Sequence, residues 1–268
     1  MVDAGNGVKI GVRTVGSGAP ILMIPSLGRG AEDYDAVAQL LATQGYMSIR
    51  PDPRGIGRSF GPPPADLFDL ARDAAAVIDY FCPSPANIVG HAFGNRVARA
   101  VAALAPDKVE RLVLLAGGGR TAMGSKVRAA LMGSIAQGSK PDAERLEDLK
   151  TAFFYEGNDP ATWLRGWYPA LAQQQLAASD RTDTARWWTA GCAPMLLVQA
   201  DGDPVAPPGN AEALADDIGD RLTLVRLRRA SHAILPEQPR AVAALIADYL
   251  SGLSNQEALQ SRADRLVV

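Results

Sequence analysis

Cysteine and histidine are scarce, with two of each in 268 residues. Cys82 and Cys192 are too few for a disulfide framework and show no metal-ligand spacing; both read as small buried apolar residues. With only His91 and His232, a three-histidine metal centre is excluded, and any histidine-dependent chemistry must use one of these two. Long apolar runs are also missing. No stretch approaches the roughly 18 residues that a membrane span needs, and the first ten residues, MVDAGNGVKI, lack a charged segment followed by an apolar one. A cytoplasmic location and no membrane partner are therefore expected. Neither sign of charge dominates: 27 Lys and Arg stand against 29 Asp and Glu. No basic field exists to hold a phosphate backbone, so no nucleic-acid partner is expected. Gly16-Ser17-Gly18 is too short for a dinucleotide fingerprint and the Gly117-Gly118-Gly119 run has the wrong spacing, so no cofactor is expected. What remains is an ordinary globular mixture, 47% apolar and 21% charged. It excludes a disordered, collagen-like or coiled-coil chain and is rich enough for one large core.

Short apolar runs alternate with longer helical patterns. Strands are predicted over residues 8–15, 21–24, 47–50, 87–89, 111–115, 195–198 and 222–227. Helices are predicted over 33–43, 65–81 (closed by Pro83), from the end of the fourth strand to about 104, over 210–218 and over 239–250. Strands separated by helices of about 10–15 residues imply right-handed crossovers and a mostly parallel sheet covered on both faces. Residues 118–191 interrupt this rhythm. They read as helical over 125–137 and 142–155, with a new start at Asp159-Pro160, where Asp can cap and Pro fits the first turn. All four tryptophans (Trp163, Trp167, Trp187, Trp188) lie in this segment, with Phe153, Phe154, Tyr155 and Tyr168: half of the chain's aromatic residues. Such a segment can dock through its rings or wall an apolar pocket with them; Phe153, Trp163, Trp167 and Trp187 are the candidate pocket residues. Residues 251–268 open with a polar linker, then space Leu259, Ala263, Leu266 and Val267 as on a helix: a docked helix, a dimer contact or a frayed end.

The strongest chemical signal is Gly90-His91-Ala92-Phe93-Gly94, between a predicted strand and a predicted helix. It has the frame of G-x-S-x-G, which holds its central residue on a sharp turn that crowds any side chain at the flanking glycines. The central residue here is alanine, whose methyl group cannot attack a carbonyl. Four other loops follow predicted strands: Pro25-Ser26-Leu27-Gly28, the run Asp52 to Ser59 (DPRGIGRS), the run Ala200 to Pro207 (ADGDPVAP), and Ala230-Ser231-His232. Ligands bind at this end of the strands in open parallel sheets.

Together these motifs resemble the α/β-hydrolase superfamily over about residues 8–250. The resemblance implies an α/β-hydrolase fold with a mostly parallel sheet, helices on both faces and a helical cap inserted before the penultimate strand. The core would comprise residues 1–117 and 192–250, the cap 118–191, and the tail 251–268. It also implies roles. Ala92 stands at the nucleophile position, His232 matches the general base, and Asp203 matches the carboxylate that orients it, with Asp201 as second candidate. The backbone N–H groups of Phe93 and Leu27 would form the oxyanion hole. Pro25-Ser26, where relatives usually carry His-Gly, and Asn95, where they usually carry a small residue, depart from the pattern. Ser26 borders the expected pocket as a candidate substrate contact. His91 reads as a structural residue of the turn, Asp52 and Arg54 as braces, and Ser59 and Ser231 as loop caps.

Three functions are compatible with a missing serine. The first is a hydrolase of small apolar esters, lactones or related acyl compounds whose nucleophile is disabled. The second is a natural serine-less enzyme in which the His232–Asp203 dyad activates water or abstracts a proton. The third is a non-catalytic receptor that keeps the pocket. In each, the partner is a small molecule, and the chain is a monomer or homodimer.

Overall fold

The computed structural model describes residues 1–82 and 85–267. In chain order the elements are β1 (Val2–Gly5), β2 (Val8–Ile10), β3 (Val12–Val15), β4 (Ala19–Ile24), α1 (Asp35–Ala42), β5 (Tyr46–Pro51), α2 (Leu67–Phe81), β6 (Ala86–His91), α3 (Phe93–Leu104), β7 (Val109–Leu115), α4 (Ser125–Ile135), α5 (Asp142–Ala152), α6 (Pro169–Asp180), β8 (Met195–Ala200), α7 (Gly209–Ile218), β9 (Leu222–Leu227), α8 (Ile234–Glu237), α9 (Pro239–Leu250) and α10 (Gln256–Leu266). Seven strands form one sheet in the order β3-β5-β4-β6-β7-β8-β9, parallel except for β3. This is the α/β-hydrolase fold.

The central strands are continuous apolar runs because both faces are covered. Leu22 and Ile24, Leu112 and Leu114, and Met195 and Leu197 pack on one face with α2, α3 and α7. Their neighbours Ile21 and Met23, Val113 and Leu115, and Leu196 and Val198 pack on the other with α1, α9 and α10. The period of two along each strand sorts the side chains between the two layers. After β4 the chain crosses to β5 on one side, then returns to place β6 on the other side of β4. The loops after β4 and β6 therefore diverge, and this reversal is where such sheets open a crevice.

Two expectations need correction. The strand predicted over 8–15 is broken at Gly11, whose N–H donates to Ser59 Oγ; β2 leaves the main sheet and pairs antiparallel with β1. Asn6 and Gly7, both at positive φ, make the tight turn between them, an Asn-Gly hairpin signal present in the sequence. Cys192 is exposed, while Cys82 is buried and burial pushes its thiol up to about 11. Pro83, expected to close α2, lies outside the described residues, as does Val268; α2 ends at Phe81.

The segment between β7 and β8 carries α4, α5 and α6 and has its own apolar cluster, in which Leu131, Ile135, Leu149, Phe153, Trp163 and Trp167 are buried together. Beyond α9 the chain folds back as α10, which buries Leu259 and Ala263 completely against the second layer. A buried leucine contributes about 1.5–3 kcal/mol. Gln256 and Gln260 of α10 reach the outermost strand: the N–H groups of Leu224 and Arg226 donate to their side-chain oxygens, and Gln260 Nε2 donates to the Arg226 carbonyl. No helix among the described residues is long and apolar enough to cross a membrane.

Candidate active site

Between β6 and α3 the backbone turns at Ala92, with φ 49° and ψ −110°. A non-glycine residue in such a conformation costs on the order of 1–3 kcal/mol and persists only where its surroundings enforce it. They do so here. The Ala92 N–H donates to the Leu115 carbonyl, and the Ala92 carbonyl accepts from the backbone and side-chain N–H groups of Asn95. The flanking glycines have a steric cause. A Cβ on Gly90 would lie 2.5 Å from the Gly94 carbonyl oxygen, and one on Gly94 would overlap the carbonyl oxygens of Ile24 and Pro25 at the end of β4.

His232 lies in the loop after β9 and Asp203 in the loop after β8. His232 Nδ1 sits 3.0 and 2.9 Å from the two Asp203 oxygens. Asp203 Oδ1 also accepts from the N–H groups of Val205 and Ala206, at 2.9 and 2.8 Å, so its carboxylate is held on both sides. A carboxylate can only accept, so Nδ1 carries the proton and Nε2 is left as the basic nitrogen. Asp201 is exposed and faces no histidine partner; its backbone N–H donates to Leu227.

The His232 loop is pinned from three directions. Glu237 accepts from the Ser231 N–H at 2.6 Å, and from the Tyr155 N–H and Asn158 Nδ2 of the inserted segment. Ser231 Oγ donates to the Gly202 carbonyl. His91 Nε2 lies 2.8 Å from the His232 carbonyl. A carbonyl only accepts, so Nε2 of His91 must be protonated; its Nδ1 has no hydrogen-bond partner among the described residues. Burial first, and the neighbouring His232 second, push the His91 pKa down to about 3. The unfolded chain would bind a proton here below about 6.5, whereas the folded chain stays neutral to about 3. Stability is thus complete above about 6.5 and declines by about 1.4 kcal/mol per pH unit as pH falls through that window. Urea titrations at pH 7, 5 and 4 are expected to show this slope, flattened in a His91→Gln variant.

One cavity of about 330 Å³ gathers Ala92, His232, Ser26, Leu27 and Phe93 with Phe153 and Trp167. Asp203 stands behind His232. Phe93 begins α3, where the first N–H groups of a helix have no partner within it; Leu27 borders the same space from the β4 loop. Ser26 is buried but makes no hydrogen bond to His232. The expected pocket role of two tryptophans is corrected. Trp163 packs behind Trp167 and against Phe153, Phe154 and His91, outside the lining. Trp187 belongs to the core beneath α3, where its ring and that of Trp188 lie on the buried Arg99 guanidinium at 4.6 and 4.7 Å. Asp52, Arg54 and Ser59 do not line the cavity; Arg54 pairs with Asp73 and Ser59 Oγ donates to the Asp52 carbonyl.

Sequence reasoning missed several side chains. Arg29 is buried between the faces of Trp163 and Trp167, 4.8 and 4.7 Å away, and pairs with Asp33. Arg96, Arg120 and Arg128 line the cavity, and Asp180 is the one acidic side chain among the described residues of its wall. Arg96 alone had a signal: it stands one helical turn beyond Ala92. No cluster of three metal-ligating side chains occurs among the described residues.

A family model described as the alpha/beta hydrolase fold matches residues 19–239. Rhodomycin D methylesterase DauP of Streptomyces sp. (strain C5) is 28% identical, with 81% of this chain and 85% of that protein covered. A non-heme haloperoxidase of Rhodococcus erythropolis is 26% identical over 80% of this chain and 85% of its own. Among solved structures, an esterase from Exiguobacterium antarcticum superposes with a TM-score of 0.79 at 19% identity, over 94% of this chain and 98% of that one; that likeness is one of fold.

Proposed function

This chain belongs to the alpha/beta hydrolase family, and on that premise we propose that it hydrolyses small apolar esters, lactones or related acyl compounds without a serine nucleophile. The observation that carries the reading is the pairing of His232 with Asp203 at 2.9 Å, opening on the cavity where Ala92 occupies the strained turn. His232 Nε2 takes a proton from a water lodged beside the Ala92 methyl. The water oxygen bonds to the acyl carbon as the carbonyl π pair moves onto its oxygen, which rests on the N–H groups of Leu27 and Phe93. The carbonyl re-forms, the leaving group departs with the bond pair, and it recovers the proton from His232. The inserted segment, with Phe153 and Trp167 on the cavity wall, serves as the lid that excludes bulk water.

Magnitudes narrow the substrates. Loss of a serine nucleophile costs about 10⁶ in kcat in subtilisin, where oxyanion stabilisation and binding still leave about 10³–10⁴ over water, and general-base catalysis contributes roughly 10²–10⁴. That suffices for activated acyl compounds and not for amides. The test is a turnover screen of the purified chain on activated esters and lactones beside a His232→Ala variant. Hydrolysis that falls to background in the variant is expected. Hydrolysis that survives it would remove the dyad from the chemistry, and saturable binding without turnover would make the chain a receptor.

A further inference from the structure

The charges around the cavity are unbalanced. Among the described residues of its wall, Arg96, Arg120 and Arg128 stand against Asp180 alone. Arg120 is neutralised by Asp217 outside. Among the described residues, neither Arg96 nor Arg128 has a carboxylate within ion-pair distance. Arg128 is on the surface, but Arg96 is half-buried beside the reacting position. It follows Ala92 by four residues on α3, which is one turn and about 6 Å along the axis. Its Nη1 donates to Ser179 Oγ at 2.9 Å, which uses one of five guanidinium donors, and its charge lies 5.9 Å from the Trp187 ring. Burial lowers the Arg96 pKa from its ordinary value, and the nearby Asp180, which does not pair with it, opposes that shift. A cation so placed, with donors to spare and partly withdrawn from water, is poised for an anion.

We infer that the cavity takes an acyl compound that also carries a carboxylate, and that Arg96 anchors this carboxylate about one helical turn from the carbonyl under attack. The inference deepens the hydrolytic reading by naming the substrate class. Arg96 is a specificity-determining residue on this account: it fixes which end of the molecule faces His232.

The test reads binding alone, so that it stands whether or not the chain turns anything over. N-benzylglutaramic acid and the neutral N-benzylglutaramide share a ring, an amide carbonyl and a chain length, and both resist hydrolysis. Calorimetric titration of the native chain is expected to show the acid bound at least about 10-fold tighter, the size of effect a charge-assisted pair supplies. Arg96→Gln should erase that preference and leave the diamide unchanged, while Arg96→Lys should keep part of it and His232→Ala all of it. Equal affinities for the two probes, no binding of the acid at millimolar concentration, or a preference retained in Arg96→Gln would each overturn the inference. If Arg96→Gln does not fold, the native chain decides with a third probe in which an ammonium group replaces the carboxylate. Weaker binding than the diamide supports the anchor, and equal or tighter binding overturns it. Loss of turnover in His232→Ala with the acid preference intact, or the reverse, separates the fate of this inference from that of the catalytic reading.

Discussion

Replacing Ala92 by serine is expected to raise kcat/KM on p-nitrophenyl acetate by at least about 10²-fold and to make the chain react covalently with a fluorophosphonate. The reason is that the hydroxyl would enter a site otherwise complete. The turn already holds position 92 at φ 49°, so the strain that exposes a nucleophile is present without one. His232 lines the same cavity, with its Nδ1 committed to Asp203 and its Nε2 free to take the hydroxyl proton. Leu27 and Phe93 border the space where the oxyanion would form. Mass spectrometry of the labelled peptide locates the adduct, and thermal melting checks the fold. A folded Ala92→Ser chain that is inert to both reagents would mean that His232 and position 92 are out of register, and the hydrolytic reading would fail with it.

The second large effect is expected at Asp203. Asp203→Asn keeps an oxygen for the Val205 and Ala206 N–H groups but can present an N–H to His232 Nδ1. The imidazole then protonates on Nε2 and has no lone pair to offer the cavity. The same exchange in a serine protease triad lowers kcat by about 10⁴, and a decrease on the order of 10³–10⁴ is expected for the native turnover here, with KM little changed. Steady-state kinetics on whichever ester or lactone emerges from the screen measures it. A decrease shared equally between kcat and affinity would indicate a collapsed pocket and not a misdirected proton.

Part of this site is legible in the sequence because some of its requirements are local. Gly90 is needed by the turn itself, where a Cβ would meet the Gly94 carbonyl, whereas Gly94 is needed because the end of β4 packs against it. The acid follows the apolar strand β8, and the histidine follows β9, whose apolar residues are interrupted by Thr223 and Arg226. The tryptophans are harder. Trp163 and Trp187 stand in short irregular turns, where side-chain direction has no period, and composition alone cannot tell a ring on a cavity from a ring beneath one. Trp187 and Trp188 answer instead to Arg99, a buried cation that binds Asn95 and the Gly118 carbonyl from below the elbow. That partnership joins residues 89 apart, as with Arg99 and Trp188, and nothing in a local window announces it. Arg96 escapes notice for the opposite reason: an arginine on a helix is ordinarily a solvated one, and here the segment between β7 and β8 covers it, with Ser179 of α6 accepting its hydrogen bond.

The tail helix has a consequence for how these molecules meet one another. Strand β9 ends the sheet, and a bare border of that kind offers its amide and carbonyl groups to any extended chain that drifts past. Gln256 and Gln260 occupy the N–H groups of Leu224 and Arg226 and the carbonyl of Arg226 from within. Crowded neighbours therefore find fewer open positions on this flank, and a few residues of the tail guard it against fibrillar stacking.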